Sequence, residues 1–218
     1  MKFIDQLKEK AKQNKKTIVL PETSDMRTIE AAGKVLAEGI ANIILVGDKE
    51  DIMSRAGDID LSGASFVDPK NYEKFDEYVD AFVEMRRKKG MTEARAKELL
   101  LTNPLYFGCM MVKQDDADGM VAGAINASAD VLRAALQTLK TAPGTRIVSA
   151  FFLVVVPDCQ YGANGTFVFA DAGLNQSPSA SELADIAEQS AKSFELLVDE
   201  TPVVAMLSPL TKGGARPP

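Results

Sequence analysis

Apolar positions along the chain switch repeatedly between two periods. Phe3, Ile4 and Leu7 form one stripe on a Lys-rich opening segment, which predicts a short helix. Thr17-Ile18-Val19-Leu20 is an unbroken apolar run stopped by Pro21, the pattern of a short buried strand. Residues 25–38 return to helical spacing at Ile29, Ala32 and Leu36, and Asn42–Val46 is a second strand ended by Gly47 and Asp48. Strand, helix and buried strand within about 30 residues predict a βαβ unit with a parallel pair. A weaker strand is expected at Ala64–Val67, then a long helix from about Asn71 to Lys89.

The alternation continues downstream. Residues 93–113 predict helix interrupted near Pro104, and Asp118–Ala122 predicts a short strand. Residues 128–140 predict a helix that buries Leu132, Ala135, Leu136 and Leu139 and turns Asp130, Arg133, Gln137 and Lys140 outward. Pro143 and Gly144 break the pattern and mark a domain boundary, dividing the chain into 1–143 and 144–218. Beyond it, Ile147–Val156 and Thr166–Ala170 are β-rich runs joined by a turn-rich segment suited to a hairpin. Ser179 and Glu182 form a capping box ahead of a helix with Leu183, Ile186, Ala187, Ser190, Ala191 and Phe194 on one side, and Pro202–Met206 reads as a last strand. The fold class is α/β with a mostly parallel sheet. Three strands and one long helix after residue 144 would leave one sheet face largely uncovered. The 218 residues are therefore expected to be incomplete as an enzyme, or to be part of a longer polypeptide.

Composition narrows the chemistry. With 46% hydrophobic and 26% charged residues the chain is of the soluble globular type. Its net charge of −6 disfavours nucleic acid and anionic membranes while leaving room for a local cationic patch. There is no His, which removes Ser-His-Asp and Cys-His nucleophiles and HExxH zinc sites. A general base must be Asp, Glu, Lys, Tyr or Cys, or come from another chain. Cys109 and Cys159 form no CxxC pair and no disulfide framework, so a cytoplasmic location and non-catalytic thiols are expected. The longest apolar run falls far short of the roughly 20 residues that span a bilayer, and the charged N-terminus is unlike a signal peptide.

In an open parallel sheet, ligands bind beyond the carboxyl ends of the strands. Four segments there could carry chemistry. Pro21–Asp25 is either a ligand loop or a helix cap by Ser24 or Asp25. Gly123–Ser128 offers small residues and helix-start N–H groups to an anion, or is simply capped by Ser128. Glu84–Gly90 holds four consecutive cations, which also suit a helix C-terminus with no ligand. Leu207–Gly214 has hydroxyls, a Lys and glycines, without the spacing of a Walker A loop. From spacing alone Arg133 is a solvent-facing residue.

The order of six segments says more than any one of them. IVLPE (18–22), YFGCMMV (106–112), DADGMVAGA (116–124), ASADVLRAALQTLKT (127–141), FVFADAGLN (167–175) and VAMLS (204–208) together resemble the phosphate acetyltransferase family, which also holds phosphate butyryltransferase. The resemblance implies two α/β domains with mostly parallel sheets, helices on both faces and an active-site cleft between them, commonly in a homodimer. It implies acetyl transfer between coenzyme A and inorganic phosphate, with coenzyme A as substrate and no metal or prosthetic group. It assigns Arg86 and Arg133 to coenzyme A, and Ser128, Ser208, Thr211 and Lys212 to the phosphate or acyl group. Several positions depart from the family pattern: Asn126-Ala127-Ser128 replaces His-Ser-Thr, Ala134 a Pro, Ala172 a Cys, and Leu210 a hydroxyl residue. The family's catalytic Ser, Arg and Asp belong to a PVNDLSRG region that these 218 residues do not contain. Alternatives of the same ancestry are phosphate butyryltransferase and a non-enzymatic acetyl-coenzyme A sensing domain.

Overall fold

The structure, a computed structural model, describes residues 3–207. The chain divides into two compact units, Met1–Lys140 and Thr141–Pro218.

The first unit is built on four strands, β1 (Thr17–Leu20), β2 (Asn42–Val46), β3 (Ala64–Val67) and β4 (Gly119–Met120), in the order β3-β2-β1-β4. Every pairing is parallel, with Thr17 opposite Asn42 and Ile43 opposite Ala64. The unbroken apolar runs of β1 and β2 follow from burial on both faces. Val19, Ile44 and Val46 point into one cluster with Tyr78, Phe82 and Phe107, whereas Leu20, Ile43 and Leu45 point into another with Ile29, Ile52 and Leu61.

Among the described residues the unit holds seven α-helices: α1 (Phe3–Gln13), α2 (Met26–Glu38), α3 (Lys49–Ala56), α4 (Phe75–Arg86), α5 (Glu93–Thr102), α6 (Pro104–Lys113) and α7 (Ser128–Thr138), of which α2 to α7 contribute buried residues. Asp25 caps α2 through its side chain, and Gly39 ends it at φ 67°. The helical stretch 93–113 is interrupted at Pro104 as expected, with Pro104 opening α6 and Asn103 as its cap. Gly108 on α6 lets that helix approach β1 and β4, because a Cβ there would lie 2.8 Å from Met120 Sδ.

Three expectations change in this unit. Helix α3 was not read from the pattern, although Asp48 caps it and Ile52 and Ala56 bury its inner face. Helix α4 starts at Phe75 rather than Asn71, because Asp68 holds the preceding residues in a turn by accepting from Lys70 N and Asn71 Nδ2. Helix α7 is rotated from its predicted face. Ala134 and Thr138 are fully buried with Val131 and Ala135 against the core, while Leu136 is 43% exposed. Small residues win that face because α7 packs on α6, and Thr138 is accommodated by donating its hydroxyl to Ala134 O at 2.8 Å.

In the second unit, β5 (Phe151–Val155) and β6 (Thr166–Ala170) form an antiparallel hairpin, with Phe151 opposite Ala170. Helix α8 (Ala180–Val198) opens with the expected capping box between Ser179 and Glu182 and buries Ile186. Pro202–Met206 is not a strand. It has no pairing partner among the described residues, and Val203 is 96% exposed. An apolar run becomes a strand only where a neighbour takes its backbone hydrogen bonds. Among the described residues, no helix is long and apolar enough to cross a membrane.

Candidate functional site

Strand β1 lies between β2 and β4, so the chain leaves its carboxyl end toward β2 while β4 arrives on the other side. At such a switch point the loops diverge and open a crevice. Here the crevice is bridged from within. Glu22, 2% exposed, follows β1 and turns its carboxylate onto the loop after β4. Oε2 accepts from Gly123 N and Ala124 N, both at 2.6 Å. Oε1 accepts from Ile125 N at 3.2 Å, Asn126 N at 2.8 Å and Asn126 Nδ2 at 2.7 Å. Burial alone would raise the Glu22 pKa, but the donors of Asn126, Ala124 and Ile125 outweigh it and bring it down to about 2.

This corrects the expectation of free amides and a Ser128 cap. The anion held by loop 123–126 is the protein's own Glu22. The N-cap of α7 is Ala127, without a side-chain cap, and Ser128 is an exposed first helical residue. Asn126, which departs from the expected His, supplies two of the five donors, its backbone N and its Nδ2. The other half of the crevice is equally fixed: Thr23 donates its hydroxyl to Val46 O at 2.6 Å, and Arg55 Nη1 donates to Thr23 O at 2.6 Å.

A second feature gathers cations. The end of α4, α5 and α7 surround a pocket of about 380 Å³ that is lined by Arg86, Lys89, Arg95 and Arg133 against one carboxylate, Glu98. Tyr106 and Gln137 also line it, joined by a hydrogen bond from the Tyr106 hydroxyl to Gln137 Oε1 at 3.1 Å. The Arg86 Nε is buried and has no hydrogen-bond partner, whereas Arg133 pairs with Asp130 on the same helix. Burial raises the Tyr106 pKa, with the positive charges of Arg133 and Arg86 acting against it. A volume of this size suits a small ligand, and guanidinium groups suit a phosphate.

Residues 2–218 match the sequence profile of the family described as phosphate acetyl/butaryl transferase. The chain belongs to that family. It is 52% identical over 216 residues to a phosphate acetyltransferase of Acetivibrio thermocellus, and 53% identical over 215 residues to one of Thermoanaerobacterium thermosaccharolyticum. Each alignment covers 99% of this chain and 65% of the relative, so the chain spans just under two thirds of the length of the relatives it matches. Among solved structures, EutD phosphotransacetylase from Staphylococcus aureus superposes with a TM-score of 0.84 at 37% identity, covering 99% of this chain and 63% of the other. A phosphotransacetylase from Streptococcus pyogenes gives 0.86 at 36% identity, covering 99% and 64%.

Of the residues that the family resemblance nominates, Arg86 and Arg133 line one pocket, although they are 47 positions apart and on different helices. Ser128 does not line that pocket. Ser208, Thr211, Lys212 and the departure at Leu210 lie outside the described residues. Arg95, Tyr106 and Gln137 are not among them, and Glu22 enters only as part of the Pro21–Asp25 loop. A signal existed for Glu22: an acid immediately after a buried parallel strand stands at the ligand end of the sheet.

Proposed function

We propose that the protein is an acyltransferase moving an acetyl group between coenzyme A and inorganic phosphate, and that the cationic pocket of the first unit receives a phosphate group of coenzyme A. The observation that carries this reading is Arg86, whose buried Nε has no partner while three further cations face the same space. A buried guanidinium nitrogen without an acceptor is costly, and a ligand oxygen removes that cost. Acetyl rather than butyryl is preferred because the similar proteins carry the name phosphate acetyltransferase. A homodimer is proposed on family membership alone.

In the direction of acetyl-coenzyme A synthesis, the thiol sulfur attacks the acetyl carbonyl, the C–O bond to phosphate breaks, and phosphate departs with the bonding pair. A free thiol has a pKa near 8.5, so a base must take its proton. The described residues fit the binding of coenzyme A, and we assign none of them the role of that base.

The test is steady-state kinetics of Arg133→Ala in the full polypeptide with coenzyme A and acetyl phosphate. Loss of a charge-assisted contact of about 1.5–3 kcal/mol should raise the KM for coenzyme A roughly 10-fold or more and leave that for acetyl phosphate nearly unchanged. An unchanged coenzyme A KM would make Arg133 a surface residue and remove the pocket from the reading. Turnover of butyryl phosphate alongside acetyl phosphate decides the acyl chain.

A further inference from the structure

We propose that Glu22 is a positioning residue of the acyl-transfer site: by gathering the amides of Gly123–Asn126 it fixes the first turn of α7 and with it Ser128, the residue that the family resemblance assigns to the phosphate or acyl group. The proposal rests on the function proposed above and adds to it a residue that touches neither substrate.

Three observations carry it. First, the contact is non-local: a side chain that follows β1 closes a loop about a hundred residues later, with all four successive amides converging on its two oxygens. A loop that merely joined β4 to α7 could be closed by its own capping oxygen, yet Ala127 at the cap has none. Second, the residue that reaches is itself held. Thr23 is tied to the end of β2 and to Arg55, and Arg55 in turn to Asp51 on α3, so the carboxylate is presented from a rigid frame. Third, the body of α7 is anchored independently by buried Ala134 and Thr138. Releasing Glu22 therefore leaves the loop with the bond that Arg27 Nη2 donates to Ala124 O at 2.5 Å, which holds no loop amide. The release loosens the loop and the first turn while leaving Arg133 near its place.

That last point gives a kinetic signature. Glu22→Gln keeps the size of the side chain but turns one acceptor oxygen into a donor, so at least two loop amides meet an N–H instead of an oxygen. In the full polypeptide, Glu22→Gln should raise hydrogen exchange at Gly123–Asn126 at least 10-fold. It should lower kcat about 10-fold and raise the KM for acetyl phosphate, while the KM for coenzyme A stays within about 2-fold. Glu22→Asp, one methylene too short to reach the loop, should repeat the pattern and serves if the Gln variant does not fold.

Asp118→Asn is the structural control. Asp118 accepts from Thr17 N at 2.8 Å at the opposite end of the same two strands. Its loss should lower stability with no change in the loop's exchange or in the kinetic split. Wild-type kinetics in both Glu22 variants, or equal loss in every parameter, would overturn the positioning role. If the wild-type protein fails to convert coenzyme A and acetyl phosphate, the proposed function falls, and the positioning role in it falls too. The exchange measurement then still decides whether Glu22 holds the loop.

Discussion

Each unit closes a loop by turning a carboxylate onto backbone amides, but at very different reach. In the first unit, Glu22 accepts from amides about a hundred residues away. In the second, Asp171 accepts from Leu174 N at 2.9 Å and Asn175 N at 3.0 Å, within its own turn. The difference runs through the cores as well. The first unit's sheet is covered by helices on both faces, and Val19, Leu45 and Phe82 are at 0% exposure. The second unit has one hairpin and one helix, and leaves Phe152 64% and Phe169 58% exposed. Both units bury apolar surface, but only a sheet with two covered faces turns nearly all of its apolar residues inward. A long-range latch works only where such a core fixes both of its ends.

Truncation in the two cores should give the largest contrast. Phe82→Ala removes a fully buried ring that packs against Tyr106 with centroids 5.8 Å apart, and should cost about 3–5 kcal/mol in denaturant unfolding. Phe169→Ala removes a ring already more than half in water and should cost well under 1 kcal/mol. Equal costs would mean that the second unit buries Phe169 in the working protein and that the two cores do not differ in this way.

Acid should separate the two latches next. The Glu22 pKa is about 2 in the folded state, below its ordinary value of 4.5. A group held lower in the folded state adds stability that is fully present above the unfolded pKa and is lost as pH falls toward the folded one. That contribution, on the order of 3 kcal/mol, should disappear between about pH 4.5 and 2 and should be absent from Glu22→Gln across that range. The Asp171 carboxyl is also lowered, with its turn amides outweighing burial. Its partners lie in residues 174–175 and at Ala150 across the hairpin, so Asp171→Asn should loosen residues 171–175 and the start of β5 and leave the first unit unchanged, as read by amide exchange.

The capping box offers a smaller test inside the second unit. Ser179→Ala removes the oxygen that accepts from Glu182 N, worth about 1 kcal/mol. Exchange of the first-turn amides of α8 should rise about fivefold, with the first unit's amides unchanged.

What the sequence discloses depends on the same distinction between local and distant causes. The capping box of α8, the β1–α2–β2 unit and the hairpin of β5 and β6 were legible because their signals lie within a few residues. The inner face of α7 was not. Leucines at helical spacing pointed one way, but close packing on α6 selected Ala134 and Thr138, a preference written in the partner helix. Pro202–Met206 has strand composition and no partner, so composition alone misled. Arg86 and Arg133 entered through resemblance to a family, since spacing alone left Arg133 on a polar surface. Glu22 falls in the Pro21–Asp25 loop that the pattern singles out, but its latching role is not legible there because its five donors lie about a hundred residues away.

The two cysteines give the smallest effect and report on both units at once. Cys109 sits on α6 at 0% exposure, where burial pushes its thiol up from the ordinary value. Cys159 lies in the turn between β5 and β6 and is partly exposed. The thiolate is the reactive form, so a buried thiol held neutral reacts only after its surroundings open. A thiol-specific aromatic disulfide should therefore label one equivalent quickly at Cys159, and a second only as the first unit unfolds. Phe82→Ala should speed that second event without touching the first, because it weakens the core that encloses Cys109. The Cys109→Ala, Cys159→Ala variant of the full polypeptide should keep most of its acyl-transfer activity. A loss of more than 10-fold without unfolding would give one thiol a chemical role, contrary to the burial of Cys109 and the turn position of Cys159.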